Sequence, residues 1–434
     1  MSTETTPIEA WASLTDVEKK TTFRLLPRSE AEEIFLNLSS HDQYELLNDL
    51  VPLELRSWVR LLAPDDTADL IQEFQAEVRP QLLSLLDEVA RKEVIALLAY
   101  AEDDAGGLMS SRFIRLRPDM SVDEAIRYIR VQARTPVEMI YYAYVIDATQ
   151  RLEGVVSFRE LLLSPPNKLV REIMVTELTT IPEDMDQEEV SKRISNIDLM
   201  ALPVVDAEGH MKGIVTVDDV VDVVKEEATE DIQKMGGQQA LDKPYLRMGY
   251  TQMVKKRAGW LIILFFGQML TATAMGYFEN ELELAITLAL FIPLIISSGG
   301  NSGSQTSSLI IRAMALGEVT LRDWWRVLGR ELGLGLTLGL MLGAIGFLRI
   351  WLWPGAEANY GEHYILIGGA VATSLVGVVM WGVIAGAMLP FALRRAGFDP
   401  ASASAPFVAT LVDVAGVVIY FTCASLFLSG TLLK

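Results

Sequence analysis

Residues 284–311 read LAITLALFIPLIISSGGNSGSQTSSLII, a stretch without a single Asp, Glu, Lys or Arg. A helix needs only about 20 predominantly apolar residues to cross a bilayer. Three further uncharged runs follow the same rule, at 258–278, 332–348 and 364–393, and a fifth at 400–433 is interrupted only by Asp413. The shortest, 332–348, is prolonged by 350–353 past Arg349, whose long side chain can reach the interface. Upstream of residue 258 the uncharged stretches are short. The pattern predicts an all-α bundle of five transmembrane helices behind a soluble half.

Charge divides the chain at the same place. The 434 residues carry 57 acids and 37 bases, and the mean hydropathy is +0.28. From residue 258 onward stand 10 acids and 8 bases, leaving 47 acids and 29 bases upstream. So acidic a soluble half argues against nucleic acid or anionic lipid as its partner and suits cations, or solubility alone. Residues 1–20 are polar and lack the apolar core of a signal peptide. Bases gather before the first run (Lys255, Lys256, Arg257), between the second and third (Arg312, Arg322, Arg326, Arg330) and between the fourth and fifth (Arg394, Arg395). Loops 279–283 and 354–363 have none, so the N-terminal half is expected in the cytoplasm and Lys434 outside.

Cys423 is the sole cysteine, which excludes an intrachain disulfide, and His41, His210 and His363 are too dispersed for a zinc site. A metal site here must use oxygen ligands, as Mg2+ or Ca2+ do. No G-x-x-x-x-G-K-[ST] loop is present, so this chain alone is not expected to be an ATP-driven pump or another enzyme.

The soluble half contains two repeats. Pro27, Ala31 and Ile34 recur as Pro64, Ala68 and Ile71, a 37-residue shift that suggests stacked helical hairpins, with a generic helical bundle as the alternative. Met109, Met120 and Asp123 recur 65 residues on as Met174, Met185 and Glu188. Val145-Ile146-Asp147 and 152–156 recur with a shift of 59, which places an insertion near 135–142 of the first copy. Each copy reads helix, strand, turn, strand, helix. Both end in Gly-Val/Ile-Val-Ser/Thr-x-x-Glu/Asp-Leu/Val, at 154–161 and 213–220. The paired unit resembles a tandem CBS domain, an α/β module that senses adenine nucleotides or cations, and the resemblance allows ATP in its cleft.

Three residue sets can carry chemistry. Ser297, Asn301, Gln305 and Ser308 share one helical face at membrane depth, among Gly299, Gly300 and Gly303. They serve either helix packing or an ion path. Pro293, lacking an amide hydrogen, is expected to free a carbonyl one turn earlier. Asp413 shares a face with Ser402, Pro406, Ala409 and Gly416, and has no basic residue within a helical turn. Burying such a carboxylate costs about 3 kcal/mol, which favours an exogenous cation or a protonated acid over a lipid-facing position. The third set is acidic: Asp218, Asp219, Asp222, Glu226, Glu227, Glu230 and Asp231 crowd one helix, after Asp186, Glu188 and Asp198 and after Asp103 and Asp104. Like charges at this spacing repel, so the face is either solvated or bridged by a divalent ion.

A helical N region, tandem CBS domains, a connector and five membrane helices resemble, in that order, the MgtE-type magnesium transporter family. The most specific residues are Gly299-Gly300-Asn301-Ser302-Gly303-Ser304-Gln305, followed by Leu309-Ile310-Ile311-Arg312. Asp399-Pro400, Ala409-Thr410 and Asp413-Val414-x-Gly416-x-x-Ile419-Tyr420 complete the match. The resemblance implies a solenoid-like helical N domain (1–106), a tandem CBS pair (107–227), a connector or plug helix (228–257) and a pore domain (258–434). It implies a homodimeric Mg2+ channel or transporter of the plasma membrane that closes when cytosolic Mg2+ is high. Asp413 matches the pore aspartate, with the backbone of Gly300 and Ala409 beside it and Asn301 and Gln305 on the polar face. Asp186, Glu188, Asp198, Asp219, Asp222, Glu227, Glu230 and Asp231 match acids that bind regulatory Mg2+, and Asp399 a mouth acid that shares an ion with the connector. The family often has Asn where this chain has Ala405. The competing reading is a membrane-anchored nucleotide or cation sensor without its own conduction pathway, which a flux measurement separates from the first.

Overall fold

Helix capping and Pro placement set the helices of the N region. The computed structural model describes residues 11, 14, 16–134, 137, 139–197, 199–241, 245, 248–279, 281 and 286–431. The N region contains α1 (Asp16–Leu25), α2 (Arg28–Leu36), α3 (Ser40–Leu47), α4 (Pro52–Val59), α5 (Pro64–Glu73), α6 (Arg79–Leu85) and α7 (Glu88–Leu97). Pro27 caps α2 and Pro64 opens α5, where a missing amide hydrogen costs nothing. Ala31 and Ile34 on α2 and Ala68 and Ile71 on α5 are all buried, so the 37-residue repeat marks equivalent core positions. Trp11, Phe23, Phe35 and Trp58 form an aromatic cluster in which Phe23 and Trp58 lie 4.7 Å apart.

Two three-stranded sheets follow α8 (Ala105–Leu108). The first holds β1 (Ile114–Leu116), β2 (Tyr142–Ile146) and β3 (Leu152–Ser157), with α9 (Val122–Gln132) and α10 (Phe158–Leu163). The second holds β4 (Ile181–Pro182), β5 (Ala201–Val205) and β6 (Met211–Thr216), with α11 (Gln187–Ser195) and α12 (Val217–Met235). In both the first pairing is parallel and the second antiparallel. Val145↔Gly154 becomes Val204↔Gly213 at a shift of 59, and each hairpin carries its bulge one residue later. Leu116↔Val145 becomes Ile181↔Val204, so the two shifts meet within one strand pair and the extra residues lie between β1 and β2. Of the expected insertion at 135–142, Thr135, Pro136 and Glu138 lie outside the described residues.

The copies exchange their leading segments. Ser110, ahead of β1, bridges Ile214 on β6, and Val175, ahead of β4, bridges Val155 on β3. Gly213 admits this approach, since a Cβ there would lie 2.7 Å from the Ser110 carbonyl. Phe113, Tyr144 and Ile146 from one copy pack with Ala201, Met211 and Ile214 from the other.

The chain divides into two compact units, 1–225 and 226–434, with α12 running across the division. The described residues of the second unit include five helices long and apolar enough to cross a membrane. They are α13 (Tyr250–Tyr277), α15 (Ile292–Ala315, preceded by the short α14, Ile286–Ala289), α16 (Trp324–Trp351), α18 (Tyr364–Arg395, after the short α17, Ala356–Tyr360) and α19 (Ala405–Leu428). The expected connector segment is spread over three pieces: the end of α12, the turn that follows, and the first residues of α13. Asp242, Lys243, Pro244, Leu246 and Arg247 within it lie outside the described residues. Arg349 ends α16 with its guanidinium 3.3 Å from the Trp353 ring centre, an interfacial pairing that suits its expected position.

Pro293 marks a break between two helices. It stands in the first turn of α15, where helix α14 has already stopped, instead of inside one continuous helix. At this break the Leu288 carbonyl accepts the buried Tyr420 hydroxyl at 2.8 Å.

Candidate functional site

Small residues bring α15, α18 and α19 together. A Cβ on Gly382 would collide with the Gly299 carbonyl oxygen, and one on Gly386 with that of Gly303. These are paired small-x-x-x-small faces, the pattern by which helices approach closely in lipid. Gly300 turns the other way: a Cβ there would lie 3.6 Å from Ala409 on α19. Ser304 donates to the Ala405 carbonyl at 3.2 Å, and Ser307 to the Ala403 carbonyl at 2.8 Å, fixing the start of α19 against α15. At Ala405, therefore, the backbone rather than a side-chain amide supplies the contact to α15.

The expected polar face of α15 is present. Ser297, Asn301 and Gln305 are exposed on it, and Ser308 is half-buried. Asn301 reaches Ser297 at 3.5 Å. Ser304, Gln305, Ser308 and Leu309 line an open cleft. Asp413 sits one turn beyond Ala409, half-buried on α19, and among the described residues no side chain is hydrogen-bonded or ion-paired to it. A carboxylate so placed can hold a cation that arrives with part of its hydration shell. Glu331, outside every expected apolar run, also lies within a membrane-length helix, half-buried with its carboxylate 3.5 Å from the Thr306 hydroxyl.

Several expected metal acids have local structural work. Asp186 caps α11, accepting from the Glu188 amide at 2.9 Å, and Glu188 pairs with Lys192 at 2.5 Å. Asp219 accepts from the Thr216 hydroxyl and amide at 2.6 and 3.2 Å, repeating the Ser157–Glu160 capping box of the first copy. Asp222 pairs with Lys225 at 2.8 Å. Glu227 and Asp231 are half-buried on α12. Glu230 pairs with Lys234, which reaches Asp399 at 2.7 Å. Asp198 lies outside the described residues.

Within the first unit, backbone pairing sets Asp104 beside Asp186, and the Gln187 amide donates to the Asp103 carbonyl at 2.7 Å. Desolvation, then the charges of Asp103 and Glu73, hold the Glu102 carboxyl above its ordinary range. Asp66, in the first turn of α5, is exposed as a residue, yet its carboxyl is crowded. Desolvation and the charge of Asp218 raise it, against the Ala63 amide. Sequence spacing could not find this pair, because 152 residues separate its members.

An acid whose folded pKa is raised favours folding most when protonated, and that contribution fades as pH climbs through the window above its unfolded value, about 3.9 for Asp. Asp66→Asn is therefore expected to raise the thermal midpoint of the full chain by about 1–3 °C at pH 7 in metal-free buffer, and by nothing below that window. Added divalent cation should narrow the difference. An unchanged midpoint at pH 7 would remove the Asp66–Asp218 repulsion from the account.

The family profile "MgtE intracellular N domain" matches residues 6–103, "CBS domain" matches 105–165 and 170–226, and the MgtE profile "Divalent cation transporter" matches 292–423. The chain is 42% identical to the magnesium transporter MgtE of Thermus thermophilus over 97% of its own length and 92% of that protein's. It is 32% identical to the magnesium transporter MgtE of Bacillus subtilis over 84% of its own length and 78% of that protein's. A crystal structure of the cytosolic domain of the Mg2+ channel MgtE in complex with ATP is 41% identical over 50% of this chain and 88% of that one, with a TM-score of 0.47.

Proposed function

Because the chain belongs to the MgtE family, we propose that it is a homodimeric Mg2+ channel or transporter that imports Mg2+ across the plasma membrane. The observation that carries this reading is Asp413, a half-buried carboxylate on a membrane-length helix with no bonded partner among the described residues. Gly300 packs against Ala409, one turn before Asp413 on the same helix, and Asn301 and Gln305 supply the polar face of the path. The ion binds mainly through its waters, weakly enough to leave again. A two-fold axis near α19 would set two Asp413 carboxylates around one ion.

The N-terminal half faces the cytosol and Lys434 the outside, as the distribution of Arg and Lys requires. Residues 1–106, 107–227, 228–257 and 258–434 serve as N domain, CBS pair, connector and pore domain. Asp186, Glu188, Asp198, Asp219, Asp222, Glu227, Glu230, Asp231 and Asp399 hold regulatory Mg2+, which fastens the acidic domains together and closes the path. For Asp186 and Asp219 this means that one carboxylate serves both a helix cap, through Oδ1 and Oδ2 respectively, and an ion. ATP occupies the cleft of the CBS pair.

Purified chain in liposomes is expected to take up Mg2+ down its gradient without ATP. Uptake should fall at least about tenfold when millimolar Mg2+ bathes the face carrying the N-terminal half. Uptake no faster than in protein-free liposomes would leave the sensor reading in its place.

A further inference from the structure

The end of α12 is fastened to the helices of the second unit by more than apolar contact. Met235 packs against Ile311, Ala401 and Ala403. Gly237 has a left-handed φ of 73° and lies where a Cβ would be 2.9 Å from the Trp260 ring. Trp260 in turn donates to the Ser404 hydroxyl at 3.1 Å. The Leu241 amide donates to Gln233 at 2.6 Å and folds the chain back on itself. Within this frame the Lys234 ammonium lies 2.7 Å from Asp399 Oδ2 and is also paired with Glu230, one turn earlier on its own helix. The other Asp399 oxygen accepts the Ala401 amide at 2.8 Å. Both oxygens of the mouth acid are thus engaged by the chain's own donors.

We propose that Lys234 is a built-in cation that latches the connector to Asp399, holding by itself the position in which the family resemblance puts a divalent ion shared by the connector and the mouth acid. The Lys234 and Asp399 side chains are only 28% and 36% exposed, so the pair is partly shielded from water. One ammonium between two carboxylates leaves a net charge of −1. Without it Glu230 and Asp399 repel each other across the latch. The ammonium is compact, carries three donors and rides on a flexible stem, so it can be withdrawn and replaced. A divalent ion brings twice its charge and can displace it, so the latch sets how much Mg2+ is needed before the metal governs the connector. The role of the latch in gating rests on the transport reading above, whereas the latch itself does not.

Hydrogen–deuterium exchange of residues 228–241 in the full chain separates the two. In EDTA, wild type and Lys234→Arg should exchange slowly, and Lys234→Met on the order of tenfold faster. Asp399→Asn, which keeps an oxygen for the Ala401 amide, should match Lys234→Met. Millimolar Mg2+ should restore slow exchange in Lys234→Met through Glu230 and Asp399. If Lys234→Met exchanges as slowly as wild type in EDTA, or if wild type also needs Mg2+ to be protected, the latch is overturned. Slow exchange of α18 in each variant shows an intact fold, and should Lys234→Met fail that check, Asp399→Asn decides. These outcomes do not depend on whether the chain transports Mg2+.

Discussion

Asp413→Asn is expected to lower Mg2+ uptake into liposomes by about 100-fold while leaving the thermal midpoint within a degree or two of wild type. Asparagine keeps the shape and an oxygen but removes the charge. About 3 kcal/mol of membrane burial is tolerated at Asp413 for some return, and 1.36 kcal/mol corresponds to tenfold, hence about two orders of magnitude if that return is ion attraction. Among the described residues Asp413 bonds to no side chain, so no ion pair is broken by the change. Residual uptake within threefold of wild type would move the conduction site elsewhere, with Glu331 the next carboxylate to replace.

The second large effect is steric. Gly386→Ala and Gly382→Ala should each destabilise the chain by about 1–3 kcal/mol, because the new methyl meets a backbone carbonyl that has no rotamer to escape into. Helix α15 must then slide or tilt away from α18, carrying Gly300, Asn301 and Gln305 with it, so uptake should fall together with the thermal midpoint. Gly335→Ala makes the comparison. Its Cβ would stand 3.4 Å from Val383 and 3.5 Å from Met380, ordinary contact distances, and it should pass nearly unnoticed. Equal melting of all three variants would show that the α15–α18 crossing has slack.

Much of the architecture was legible because it rests on periodicity. The uncharged runs anticipated the membrane helices, and the 65- and 59-residue shifts foretold a sheet register that the strand pairs repeat residue for residue. The same repeat contained a warning about the acids. Ser157-x-x-Glu160 and Thr216-x-x-Asp219 stand 59 residues apart, and both are helix caps, so Asp219 had a structural role visible beforehand. What stayed hidden depends on residues far apart in the chain. Lys234 meets Asp399 across 165 positions, and Thr306 meets Glu331 across two helices. Pro293 turns on a local break: proline costs about 3 kcal/mol inside a helix but suits its first turn, and the break at Leu290 puts it there.

The exchanged bridges of the two small sheets bear on how the chain is made. Ser110 is bridged to Ile214, and Val155, besides its pairing with Tyr144 in the hairpin, is bridged to Val175. A nascent chain that has just left the ribosome with β1, β2 and β3 therefore still lacks the strand that covers its leading edge. Until more than fifty further residues emerge, Phe113 and Tyr144 lack the Ala201, Met211 and Ile214 side chains that cover them. Synthesis halted between the copies would release a fragment with this apolar face open, and the two CBS copies are expected to close together.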